Sequence, residues 1–153
     1  MENLDNKDKL LIQLLQINSR EQLKTLSKKI GLSIDSTKKR IEKLKKNGIL
    51  ARFGVFIDPK ALGYDLVANV SIKLNNVGEE DLSKFMNYLK KHPNVTTLIT
   101  TLGKYDITCV IIAKNTESLE ILFREIRHKF KDVIKDWESV INLKVYKFEW
   151  YDL

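Results

Sequence analysis

The 153-residue sequence is poor in the residues that covalent stapling and catalysis draw on. Its one cysteine, Cys109, excludes any disulfide within the chain, and its apolar surroundings mark it as a small core residue rather than a nucleophile. There are two histidines: His92 precedes Pro93 at the end of an expected helix, and His128 lies among basic residues of a later one. Both read as surface histidines. No metal-ligand spacing, phosphate-binding loop or nucleophile–base motif is visible, so neither an enzyme nor a metal or other cofactor is expected. No apolar run approaches the ~20 residues of a membrane span. The opening Met1-Glu2-Asn3-Leu4-Asp5 is acidic and polar, unlike a signal or transit peptide. The expected location is cytoplasmic, with no membrane partner.

What is present is a globular composition, 43% hydrophobic and 31% charged, with a net charge of +7. That charge is localised. Residues 1–60 hold 14 Lys or Arg against 7 Asp or Glu, and residues 61–153 hold 13 against 13, so the whole excess falls in the first part of the chain. A general solubility charge would be spread more evenly. Concentrated positive charge points to a polyanionic partner, nucleic acid before anionic membrane, with a merely solvated basic surface as the alternative.

Within that basic region the apolar spacing predicts three short helices. Leu11, Leu14 and Leu15 mark the first, with Asp5 as N-cap and Asp8 in its first turn. Leu23, Leu26 and Ile30 mark a second over about residues 21–30, with Ser19 and Gln22 as a capping box and Gly31 as its stop. Ser33 then caps a third, and two helices joined by so tight a turn form a helix-turn-helix. The third helix places Ile34, Thr37, Ile41 and Leu44 on one side, and carries six Lys or Arg between Lys38 and Lys46. The candidate DNA-binding set is Ser33, Ser36, Thr37, Lys38, Lys39, Arg40, Lys43 and Lys46. Ser36 and Lys39 lie near the N-terminal end, which reaches base edges in a major groove, whereas Lys43, Lys45 and Lys46 suit phosphates. Asp35 and Glu42 on the same helix count against a pure phosphate-binding face.

After Asn47-Gly48, residues 49–57 read as a two-stranded wing turning near Phe53-Gly54-Val55. The punctuation from Asp58-Pro59 to Gly63 sets the expected boundary, giving a DNA-binding domain over 1–60 and a second domain over 64–153. The second domain alternates strands and helices. Strands are expected at 66–74, 95–102, 106–113 and about 140–150, and helices at the stripes Leu82, Phe85, Met86, Leu89 and Leu119, Phe123, Ile126, Phe130. The order βαββαβ makes the fold class α+β, with a ferredoxin-like sandwich and antiparallel sheet after the helix-turn-helix. Two helices cover one face of such a sheet. The last strand, with Tyr146, Phe148 and Trp150 on one side, would give the other face an apolar surface needing a partner, so a homodimer or larger oligomer is expected. A dimer also suits two recognition helices reading a palindromic duplex.

The residues from Leu4-Asp5 and Asp8 through Asn18-Ser19-Arg20, Gly31-Leu32-Ser33, Ser36-Thr37, Arg40, Leu44 and Gly48-Ile49 to Asp58-Pro59 and Leu62-Gly63 form an ordered pattern. With Gly103-Lys104-Tyr105-Asp106 between two strands, the chain resembles the leucine-responsive/AsnC family of transcription regulators, the feast/famine regulators. The resemblance implies a winged or plain helix-turn-helix, a βαββαβ module that dimerises through its sheet, assembly into tetramers or octamers, and an amino-acid effector held between subunits. Carried onto this chain it nominates Thr100, Thr101, Gly103, Tyr105 and Asp106 as effector-binding residues. Asp106 could accept from a ligand ammonium or from backbone amides of its own turn. Two departures stand out: Leu102 where many members have threonine or serine, and Lys104 where an acidic residue is frequent. The alternative for this segment is a tight strand connection at an oligomer contact.

Two rival functions remain. Lysine discriminates bases less than bidentate arginine, which favours an architectural protein coating DNA with little sequence preference. Sirohaem decarboxylases are similar in fold, but do not need a basic recognition helix.

Overall fold

The computed structural model describes residues 4–153, which form two compact units: residues up to 56 together with 146–153, and residues 57–145. The tail from Tyr146 onward, expected with the second domain, thus packs in the first unit.

The first unit is built on three helices, α1 (Asn6–Ile17), α2 (Leu23–Ile30) and α3 (Ile34–Lys46). Asp5 caps α1 by accepting from the Asp8 backbone N–H, and Asp8 returns the bond to the Asp5 N–H. The second helix starts at Leu23, the first residue of its apolar pattern and later than the expected start near residue 21, and its N-cap Gln22 makes no side-chain cap bond. The expected Ser19 cap is not formed, because the Ser19 hydroxyl donates to the Gly54 carbonyl instead. Leu11, Ile12, Leu15, Leu26, Ile30 and Leu44 form the core of this unit. Each such side chain withdrawn from water contributes roughly 1.5–3 kcal/mol before entropy is counted.

The expected wing is absent. Residues 50–57 contain no paired strand, so the motif is a plain helix-turn-helix. A two-stranded ribbon has little stability of its own, and this segment is held by other contacts. The Phe53 ring lies under the Lys45 ammonium at 5.8 Å, and Phe56 packs edge-on against Phe148 at 5.6 Å.

The second unit is a four-stranded antiparallel sheet with two helices. Its elements are β1 (Leu66–Leu74), α4 (Glu79–Lys91), β2 (Val95–Thr100), β3 (Ile107–Ala113), α5 (Thr116–Lys129) and β4 (Ile134–Ile141). The strand order β2-β3-β1-β4 is that of a ferredoxin-like βαββαβ sandwich. Alternate residues Ala68, Val70, Ile72, Ile107, Cys109 and Ile111 face the helices, where they meet Phe85, Leu89, Leu119, Leu122 and Ile126 in one core. Glu79, Glu80 and Asp81 suit the N-terminal dipole of α4, and Asn115 with Ser118 forms a capping box on α5.

The last strand differs from expectation. It runs over Ile134–Ile141 and pairs Ser71 with Glu138, while Tyr146, Phe148 and Trp150 lie beyond the sheet. The uncovered sheet face is therefore not aromatic. Its rows are Thr97–Val110–Asn69–Val140 and Ile99–Thr108–Ser71–Glu138, a mixture of β-branched and polar residues.

Candidate nucleic-acid interface and effector loop

The turn between α2 and α3 is fixed at both ends. Gly31 adopts φ 65° and ψ 49°, and the Leu32 N–H donates back to the Ser27 carbonyl at 3.0 Å, the Schellman arrangement that needs a left-handed residue. The Lys7 ammonium donates to the Gly31 carbonyl from α1. On the other side Ser33 accepts from the Ser36 N–H at 3.1 Å, and its hydroxyl donates to the Ser36 hydroxyl at 2.8 Å. Ser33 thus serves as the helix cap.

Along α3 the exposed residues Ser36, Lys39, Lys43 and Lys46 recur at intervals of three and four, so they share one face. Lys38 is exposed beside them. Thr37 does not belong to this surface. Its side chain is fully buried, and its hydroxyl donates to the Ser33 carbonyl at 2.8 Å. Its inclusion among candidate DNA contacts is corrected: at this helical spacing it points into the core beside Leu44.

Arg40 is half-buried and committed elsewhere. One guanidinium nitrogen donates to Asp5 at 2.7 Å and to Asp8 at 2.6 Å. Those partners raise the Arg40 pKa, Asp8 contributing most. The Asp5 carboxyl is held below its usual range, first by the Asp8 backbone N–H and then by Arg40. Arg40 therefore ties α3 to the start of α1 rather than joining the exposed stripe.

The loop between β2 and β3 is closed by its own residues. The Thr101 N–H donates to the Asp106 carbonyl at 2.8 Å, and the Thr101 hydroxyl to the Tyr105 carbonyl at 2.7 Å. Asp106 accepts from the Leu74 N–H at 2.8 Å and from the Lys73 ammonium at 2.9 Å. These bonds hold its carboxyl below the ordinary 3.8, the Leu74 amide most strongly. Both Asp106 oxygens are thus engaged within the chain, though with β1 rather than with amides of its own turn. Thr100 is exposed at the end of β2, and a Cβ built on Gly103 would meet open space.

One residue of this site escaped the sequence reading. Glu138 on β4 accepts from the Tyr105 hydroxyl at 2.5 Å, and the Lys104 ammonium lies 3.9 Å from the same carboxylate and 4.8 Å from the Tyr105 ring centre. The pairing raises the Tyr105 pKa, Glu138 being the main cause. Correct placement of the last strand was the signal that would have found it, since Glu138 stands opposite Ser71. Leu102 is fully exposed at the tip. Among the described residues no group of three or more His, Cys, Asp or Glu could hold a metal ion. Burial alone pushes the Cys109 thiol up to about 12, far from the range of a nucleophile.

A capped helix-turn-helix with a lysine stripe, followed by a sheet domain carrying a polar loop, defines a two-domain transcription regulator. Residues 4–45 match the AsnC-type helix-turn-helix domain, and residues 67–149 match the Lrp/AsnC ligand binding domain. The transcriptional regulator FL11 of Pyrococcus furiosus is 32% identical over 150 residues, covering 94% of this chain and 92% of FL11. The chain belongs to the Lrp/AsnC family of transcription regulators. Among solved structures, Escherichia coli AsnC superposes with a TM-score of 0.81 at 26% identity, covering 98% of this chain and 99% of AsnC. A Neisseria meningitidis regulator in complex with L-methionine superposes with a TM-score of 0.86 at 20% identity, covering 95% and 94%. No helix among the described residues is long and apolar enough to cross a membrane.

Proposed function

We propose that the protein regulates transcription by laying α3 in the major groove, with Ser36 and Lys39 at base edges and Lys38, Lys43 and Lys46 on phosphates. The observation that carries this reading is the exposed stripe on a helix capped by Ser33, within the only part of the chain that has excess positive charge. Short polar side chains near the helix start can approach base edges, and lysines further along supply the sequence-independent attraction. Arg40 and Thr37 act from behind that surface, holding α3 in place.

The protein acts as a dimer or larger assembly in the cytoplasm, formed through the sheet face that α4 and α5 leave open. Ile99 and Val140 on that face are 52% and 58% exposed, and burying such residues favours association. An amino acid is the proposed effector, in keeping with the ligand-binding family model and the L-methionine complex of the Neisseria protein. Thr100, Gly103 and Tyr105, joined by Lys104 and Glu138, form its binding surface, and Thr101 and Asp106 hold the loop's shape. No catalytic role is proposed, and the named relatives are transcription regulators.

Selection of duplexes from a random library by the full chain tests the first part. An enriched inverted repeat supports a specific regulator, whereas binding without enrichment favours the architectural reading that so many lysines allow. Calorimetric titration with the common amino acids tests the second. Heat from one of them that is lost on Tyr105→Ala supports the loop; silence across the set removes the effector.

A further inference from the structure

The last eight residues of the chain make specific contacts with α1. The Gln16 carboxamide is bonded at both ends to one residue of the tail: its nitrogen donates to the Tyr151 carbonyl at 3.1 Å, and its oxygen accepts from the Tyr151 N–H at 3.0 Å. One turn earlier the Gln13 carboxamide donates to the Leu153 carbonyl at 3.2 Å. Phe148 adds the edge-on contact with Phe56 already described. A carboxamide carries both a donor and an acceptor, so Gln16 can satisfy an extended strand-like residue as a neighbouring strand would.

The other end of α1 is fastened to the recognition helix. Asp5 and Asp8 hold Arg40 of α3, and Lys7 holds the Gly31 carbonyl at the turn. Helix α1 therefore has the tail at its C-terminal half and α3 at its N-terminal half. The tail continues from β4, whose Glu138 bonds Tyr105 of the effector loop.

We propose that residues 146–153 are a positioning element of the DNA-binding unit, in which Gln16 and Tyr151 set α1 and α1 sets α3. This rests on the reading of α3 as the recognition helix. The tail touches no DNA in this account. It fixes the angle at which Ser36 and Lys39 meet the groove, while attraction of the lysines to phosphate needs no such precision.

The test compares the full-length wild type with Gln16→Leu, which keeps helix propensity but removes both bonds, and Gln16→Glu, which keeps the acceptor. Each is titrated with a duplex selected by the wild type and with a random duplex of equal length. A fluorine label on tryptophan, assigned by Trp150→Phe, reports the state of the tail. The expected result for Gln16→Leu is a loss of about fivefold on the selected duplex, the scale of one hydrogen bond. Affinity for the random duplex stays unchanged, the Trp150 signal moves, and Gln16→Glu falls between. Equal losses on both duplexes, or no loss on either while the Trp150 signal moves, overturn the proposal. If Lys39→Ala also leaves discrimination intact, the reading of α3 fails as well; if Lys39→Ala abolishes it, only the tail's role falls.

Discussion

The Arg40 guanidinium lies 2.6 Å from the Asp8 carboxylate, so one of the cations on α3 is neutralised inside the protein. The pair is only partly exposed, 29% for Arg40 and 14% for Asp8, which sets it apart from the solvated lysines of the same helix. The pair links α3 to the start of α1.

Replacing Arg40 by Gln should lower stability by about 1 kcal/mol, a figure discounted for the water that still reaches the pair. Thermal unfolding of the variant shows the loss, and its affinity for a random duplex should change little. An unchanged melting temperature with a marked loss on random DNA would move Arg40 onto the phosphate-contact surface.

The Asp106 carboxylate predicts a pH effect. Its pKa in the folded protein lies below the ordinary 3.8, through the Leu74 amide first and Lys73 second. A depressed folded-state pKa gives stability that is present above the unfolded value and is lost as pH falls through the folded one. Asp106→Asn should therefore melt below the wild type at neutral pH. The gap should narrow as pH drops below about 4. A gap that persists undiminished at the most acid pH where the protein still folds would show that the carboxylate charge is not the source.

Cys109 should be inert in the native protein. With its thiol pushed up to about 12 and its side chain in the core, iodoacetamide at pH 8 should label it only after denaturation. Labelling of the native chain at the rate of a free thiol would contradict the burial.

Much of this architecture was legible from local chemistry. Ser33 after Gly31 marked the turn because a capping hydroxyl and a left-handed glycine leave few other local structures. The stripes of α4 and α5 were legible because each helix buries one face. The wing and the last strand were not, for a shared reason. A strand is defined by its partner, and residues 50–57 have the alternation without a partner. Residues 134–141 have the partner with weak alternation, since β4 is an edge strand with only β1 beside it. The denser apolar run after Val140 drew the strand too late in the sequence and hid Glu138. Thr37 and Arg40 show the other limit: their polarity suggested contact with DNA, whereas tertiary packing gives the hydroxyl and the guanidinium partners within the protein.

The central claim is that Ser36 and Lys39, at the start of the exposed stripe, distinguish DNA sequences, and Lys39 tests it most directly. The measurement is the ratio of affinities for the selected and random duplexes, taken at one salt concentration for wild type and Lys39→Ala. The expected ratio falls by about tenfold, in the range of a lost base contact, while random-duplex affinity drops only slightly. An unchanged ratio, with both affinities lowered together, would contradict base reading by Lys39 and leave α3 a phosphate-binding helix alone.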